Sequence, residues 1–295
     1  MAEEKKDEKA PEEEVEVIEE ATPITAAPED IEVIESGDEE HEEREAARKA
    51  RIDALDWTPK TALGTDVKNG KIRSLSEILD RGTKILEAEI VDALLPDMEI
   101  DLLLVGQSKG KFGGGQRRIF KQTQKKTREG NKPKFMTFAV VGNQDGYIGV
   151  GGGKSKETVP AREKAIRRAK LNIIKIRRGT GSWEDNSKEP HSIPFAVSGK
   201  CGSCEIKLMP APKGKGLCIE PECQKLLTLA GIQNIWSRTR GKTKTKTNLL
   251  NACFAALKKL STTKVLPDDR KKMNIVDGST MENFAEEIGG AEDEQ

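Results

Sequence analysis

The chain has 295 residues, enough for two modest domains, and its 50 basic and 50 acidic side chains cancel to a formal net charge of zero. The cancellation hides a polarity: residues 1–50 hold 20 acidic against 6 basic side chains, whereas residues 101–264 hold 34 basic against 11 acidic. A basic body with acidic ends suits a nucleic-acid binder far better than an ordinary enzyme, and no apolar run approaches the ~18 residues of a membrane span.

Residues 1–50 are Glu-rich and low in complexity, and are expected to be a disordered acidic tail. The start MAEEKKDEKAPEEE is too acidic for a signal peptide, and five cysteines in that context read as reduced thiols in a cytosolic compartment. Residues 51–97 read as an extension packed on the body. A helix opens there with Ser74 or Ser76 as its cap, and the apolar stretch GTKILEAEIVDALLP closes at Pro96.

A first domain is expected over 98–179. MEIDLLLVGQSK predicts a strand, and the Gly- and base-rich stretch after it predicts a long loop over 106–134. KFMTFAVVGN is a clear strand, Asn143–Gly146 a hairpin turn, and YIGVG the return strand. A helix starts near Pro160, with Ala161, Ala165, Ile166, Ala169 and Ile173 as its apolar stripe and Arg162, Lys164, Arg167, Arg168 and Lys170 on its other faces. Strands followed by one packing helix make an α+β unit with an antiparallel sheet. Residues 180–192 read as a polar linker. Residues 193–264 follow the order β-β-α-β-α, a second α+β domain, and 265–295 read as a frayed acidic tail.

GVGGGKS at 149–155 looks like a phosphate-binding P-loop, but G-x-x-x-x-G-K-[ST] needs a glycine five residues before Gly153, and Ile148 stands there. The Asn/Asp-Gly hairpin before it also lacks the strand-then-helix order of that fold. A nucleotide-binding enzyme is therefore the weaker alternative. Cys201, Cys204, Cys218 and Cys223 allow a zinc-ribbon nucleic-acid module as another, although the second pair is loosely spaced and includes Pro221. No metal or cofactor is expected. The two histidines are His41, in the acidic tail, and His191, in the linker; His191 reads as a structural or RNA-facing hydrogen-bonding residue rather than a general base. The basic residues suit a phosphate backbone better. Lys154 and Lys156 flank a helix entry, Arg167 and Lys170 lie on the helix, and Arg117, Arg118, Lys121, Arg177 and Arg178 lie in flanking basic stretches.

These residues carry a resemblance. AVVGNQDGYIGVGGGKSKETVPAREKAIRRAKLNIIKIRRG, with GSW…PHSIPF, SGKCGS, LMPAPKGKG and LAGIQNIW in the same order, resembles the S-five family of small-subunit ribosomal proteins (called two in eukaryotes). WTPKTALG…KNGKI…SLSEI…EIVDALLP resembles its archaeal-type branch. The resemblance covers about Trp57 to Lys264. It implies an N-terminal domain like a double-stranded-RNA-binding fold and a C-terminal two-layer β-α-β-α-like domain. It also implies a non-enzymatic, cytoplasmic constituent of the small ribosomal subunit. Its partners would be small-subunit rRNA near the decoding region, mRNA at the entry channel, and the third and fourth small-subunit protein families; its role would be support of translational accuracy. The loop around Gly113–Arg118 corresponds to the family's protruding basic loop, but is longer and more basic than the family pattern.

Overall fold

The computed structural model describes residues 57–108, 116–185, 187 and 189–279; the acidic N-terminal stretch and residues 280–295 lie outside them. Thr61 caps α1 (Ala62–Lys68) by accepting from Gly64 N, and Ser74 caps α2 (Leu75–Asp80) by accepting from Glu77 N. The Ser74 hydroxyl donates back to Glu77 Oε1, completing a side-chain box at the helix start. α3 (Glu89–Leu94) follows. The three short helices bury Val67, Leu75, Ile78, Ile90 and Val91 in one cluster with Tyr147 and Ile173. Glu87 anchors it. Its carboxylate accepts from Trp57 Nε1 at 2.8 Å and from the backbone N–H groups of Lys60 and Thr61 at 2.9 and 2.7 Å. Burial pushes its pKa up, but these donors outweigh burial and hold the carboxyl below its usual range.

The first sheet contains β1 (Glu99–Leu102), β2 (Lys121–Thr127), β3 (Gly130–Gly142), β4 (Tyr147–Ser155) and β5 (Ile173–Lys175), all antiparallel. β3 is 13 residues long and serves two partners on one edge: β1 against its C-terminal end and β2 against its N-terminal end. The expected loop over 106–134 is corrected here, because residues 121–134 form a β-ribbon. Its residues are polar on both faces, so no hydrophobic alternation announces the strands.

The helix α4 (Thr158–Leu171) lies across one face of this sheet, and the glycine-rich run explains how. Gly149, Gly151 and Gly153 alternate along β4, and a Cβ added at them would come within 2.1, 2.2 and 2.0 Å of the α4 backbone at Ala169 O, Ala169 N and Ala161 O. Ala161, Ala165 and Ala169, four residues apart, supply the complementary small stripe and are fully buried. The glycines are therefore a packing face for the helix. A nucleotide cradle would need this backbone open, and α4 covers it.

The C-terminal half pairs β7 (Val197–Cys201), β8 (Cys204–Pro210), β10 (Ile235–Arg240) and β9 (Leu217–Cys218) in that order, β9 running parallel to β10. α5 (Pro221–Leu229) and α6 (Lys246–Thr262) complete it. Close glycine–helix packing recurs: a Cβ at Gly199 would sit 2.0 Å from Ala252 O of α6. The β3 side chains Phe138 and Val140 join Ile148, Val150, Leu226, Leu229 and Leu257 in one core that runs through both halves. Residues 265–279 depart from the expected frayed tail: α7 (Pro267–Lys272) and β11 (Val276–Asp277) fold back, and β11 pairs with β6 (Arg177–Arg178). The stretch 180–192 is fastened too, with Thr180 N bonded to Met273 O at 2.8 Å and Ser192 N to Gly179 O at 3.1 Å.

Candidate nucleic-acid interface

The nine cations expected to meet RNA separate into two groups. Arg118, Lys121, Lys154, Lys156 and Arg167 are exposed and Arg117 is half-buried; none of the six has an ion pair within the described residues. Arg117 Nη2 reaches Lys244 O at 3.5 Å and shares with Lys121, Lys244 and Lys246 a cavity of about 380 Å³ between the halves. Within it, Lys246 is paired with Glu220.

The other three are engaged internally. Lys170 Nζ lies 2.5 and 2.7 Å from the Asp92 carboxylate. Arg177 Nε donates to Asp277 Oδ1 at 2.6 Å and its Nη1 to Thr263 O at 2.7 Å. Arg178 is buried, bonded to Asp145 and, at 3.0 Å, to Gly278 O. Within the fold each is therefore tied to a carboxylate of another segment. Each carboxylate partner lies far off in sequence, so the pairing was invisible in the local composition.

His191 is engaged internally too. Asn234 Nδ2 donates to His191 Nδ1 at 3.0 Å, so Nε2 carries the hydrogen and donates to Asp185. The backbone N–H of Ser187 and then His191 hold the Asp185 carboxyl down to about 2. The cysteines are scattered. Cys201 and Cys204 flank the β7–β8 turn, Cys218 is exposed, and Cys223 is buried in the core, where Cys253 and burial push its thiol up. Among the described residues no cluster of three or more His, Cys, Asp or Glu side chains could hold a metal. No described helix is long and apolar enough to cross a membrane.

Strand register sorts the remaining cations by face. Odd-numbered β3 residues, Ala139 and Val141, face α4, whereas Phe138 and Val140 face the common core. The α4 side of the body presents exposed Arg162, Lys164, Arg167 and Arg168 with Glu163 among them. On the opposite face, Lys121 and Lys154 both stand opposite Met136, so they share its side of the sheet. Following the register outward, Lys134 opposes Thr123 and Lys125 opposes Lys132 on that same side. Four of these cations, Lys125, Lys132, Lys134 and Lys244, were not singled out from the sequence. The period-2 spacing of Lys132 and Lys134 beyond a Glu-Gly turn was the available signal.

Two family models match the chain: ribosomal protein S5, N-terminal domain, over residues 119–177, and ribosomal protein S5, C-terminal domain, over residues 199–270. The small ribosomal subunit protein uS5 of Nanoarchaeum equitans is 49% identical over 228 residues, 77% of this chain and 98% of that protein. The protein of the same name from Methanocaldococcus jannaschii is 44% identical over 231 residues, 78% of this chain and 100% of its own length. That from Pyrobaculum calidifontis is 46% identical over 207 residues, 70% of this chain and 95% of its own.

Proposed function

This chain belongs to the ribosomal protein S5 family, in its archaeal-type branch, and from that premise we propose how it works. It is a structural, non-enzymatic constituent of the small subunit of the cytoplasmic ribosome, and it binds rRNA. Residues 98–179 form its RNA-binding half, built in the manner of a double-stranded-RNA-binding fold, with 51–97 as a packed extension and 193–264 as the C-terminal α+β half. Arg117, Arg118, Lys121, Lys154, Lys156 and Arg167 contact rRNA phosphates. Its place is near the decoding region and the mRNA entry channel, beside the third and fourth small-subunit protein families, where it supports decoding accuracy; the family resemblance supports that location.

The observation that carries the RNA reading is the set of accessible cations that have no carboxylate partner among the described residues, in contrast to Lys170, Arg177 and Arg178, which do. Such a set attracts a polyanion and releases its counterions on binding. With about six phosphate contacts, affinity of the full chain for a small-subunit rRNA fragment should fall roughly a thousandfold between 50 and 200 mM salt. Replacing the six residues by Gln should flatten that dependence. A salt-independent affinity in the unaltered chain would refute the electrostatic interface.

A further inference from the structure

We propose that residues 280–288 form an amphipathic helix that folds back over the cavity at the seam between the two halves, keeping that face closed in the free chain. The described chain ends at Ser279, and this end is fastened at the edge of the cavity. Ser279 Oγ donates to Asp145 Oδ2 at 2.5 Å, and Gly278 O accepts from Arg178 Nη2 at 3.0 Å. Arg178 itself, and Gln144 beside Asp145, line a cavity of about 670 Å³ whose other walls come from residues 189–191 and 217–233. Whatever follows Ser279 therefore starts at its rim.

The sequence from Ser279 onward carries the signals of a short helix with one apolar stripe. Ser279 and Glu282 fit the S/T-x-x-E capping box, and a serine hydroxyl that donates one hydrogen bond can accept another. Met281, Phe284, Ala285 and Ile288 recur at i, i+3, i+4 and i+7, and Gly289-Gly290 follows as a stop signal. At the helical rise the stripe from Met281 to Ile288 is about 10 Å long, short enough to stay on a cavity that begins beside Ser279.

The cavity suits that stripe. Leu217, Pro190 and buried Ile232 give it an apolar wall, and its volume lies within the roughly 300–1,000 Å³ of pockets that take small apolar groups. Phe284 is the side chain large enough to enter it. Among the described residues one carboxylate lines the cavity, Glu189, and Lys213 holds it at 2.6 Å. Residues 280–295 contain six acidic and no basic side chains, whereas residues 101–264 carry 34 basic against 11 acidic, so charge draws the segment towards the body. Tethering favours this occupant over a separate molecule. A short tether holds its segment at millimolar effective concentration, which a second copy or another protein must exceed to displace it.

The test uses the full chain with the photoreactive p-benzoylphenylalanine in place of Phe284, irradiated and mapped by peptide mass spectrometry. Crosslinks should form within one chain, to Pro190, Leu217 or residues 228–233. M281D/I288D in the same chain should lower their yield by roughly fivefold or more, because the stripe loses its apolar burial. E292Q/D293N/E294Q, beyond the two glycines, should leave the yield unchanged. Independently, the backbone amide resonances of Thr228, Gly231, Ile232 and Gln233 should differ between the unaltered chain and one ended at Ser279. The triple variant M281D/F284D/I288D should reproduce the shortened chain's resonances. Crosslinks between two chains would make a second copy the occupant and overturn the proposal. So would crosslinks mapping away from the cavity, equal yields with and without M281D/I288D, or identical amide resonances in the full and shortened chains.

Discussion

Arg178 and Asp145 show how a basic motif is divided between folding and function. Arg177 and Arg178 sit side by side in a run that reads as an anionic-ligand site, yet Arg178 is buried where the β3–β4 turn, β6 and the returning C-terminal segment meet. A buried cation without its partner costs several kcal/mol, so this arginine is fixed by the fold. Asp185 plays a comparable part in the 180–192 segment. Its carboxyl, held at about 2 against an ordinary 3.8, contributes stability that is present above the ordinary value and is lost as pH falls from about 4 through about 2. Urea unfolding followed at pH 6, 4 and 3 should therefore show a fall that the Asp185→Asn variant lacks. That variant should be weaker at pH 6 by about 1–3 kcal/mol, the cost of a missing charged acceptor. Identical pH slopes in the two proteins would refute the role given to Asp185.

At the scale of the element, the most informative stretch is β4 with α4. The glycines and the helical basic residues were both legible, but their relation was not: alternation places three glycines on one face, and only the packed helix shows why that face must be bare. Gly151 is the sharpest case, since its added Cβ would stand 2.2 Å from Ala169 N and 2.5 Å from Ala165 O, both backbone atoms. Neither can yield without moving α4. Gly151→Ala should cost about 3 kcal/mol or more, against the 1–3 kcal/mol typical of overpacking, measured as a lowered denaturation midpoint. Gly152→Ala is the comparison: its added Cβ meets only the Phe138 ring, at 3.2 Å, and it should be milder. Equal effects would contradict the packing account. The ribbon is the opposite case, a pair of strands hidden from hydrophobic patterning because neither face is buried.

For the whole molecule, the two halves recognised in sequence share one core. Leu226 and Leu229 of α5 pack with Phe138 and Val140 of β3, and buried Glu222 accepts from Leu104 N at 2.7 Å. Gln144 N bonds to Leu229 O at 3.0 Å, closing the same seam. Burying each large aliphatic side chain in that seam contributes about 1.5–3 kcal/mol, so the halves should not unfold separately. Trp57 reports on the extension and Trp236 on β10, which makes the expectation measurable in variants that keep only one of them. Both should give the same midpoint and slope in denaturant; two separated transitions would show independent domains.

Pattern alone established the α+β class, the hairpin at Asn143–Gly146, a helix starting near Pro160 and the RNA-directed charge of the body. Those features are local: periodicity, turn chemistry and composition act over a few residues and leave their mark in sequence order. The tertiary structure decided which cations are paired within the fold, because Lys170, Arg177 and Arg178 find carboxylates 78, 100 and 33 residues away. It likewise decided that the glycine run is a helix seat and that the lysines form two surfaces. Side-chain pairing and the choice of face depend on contacts between distant segments, which exist only once the chain has folded.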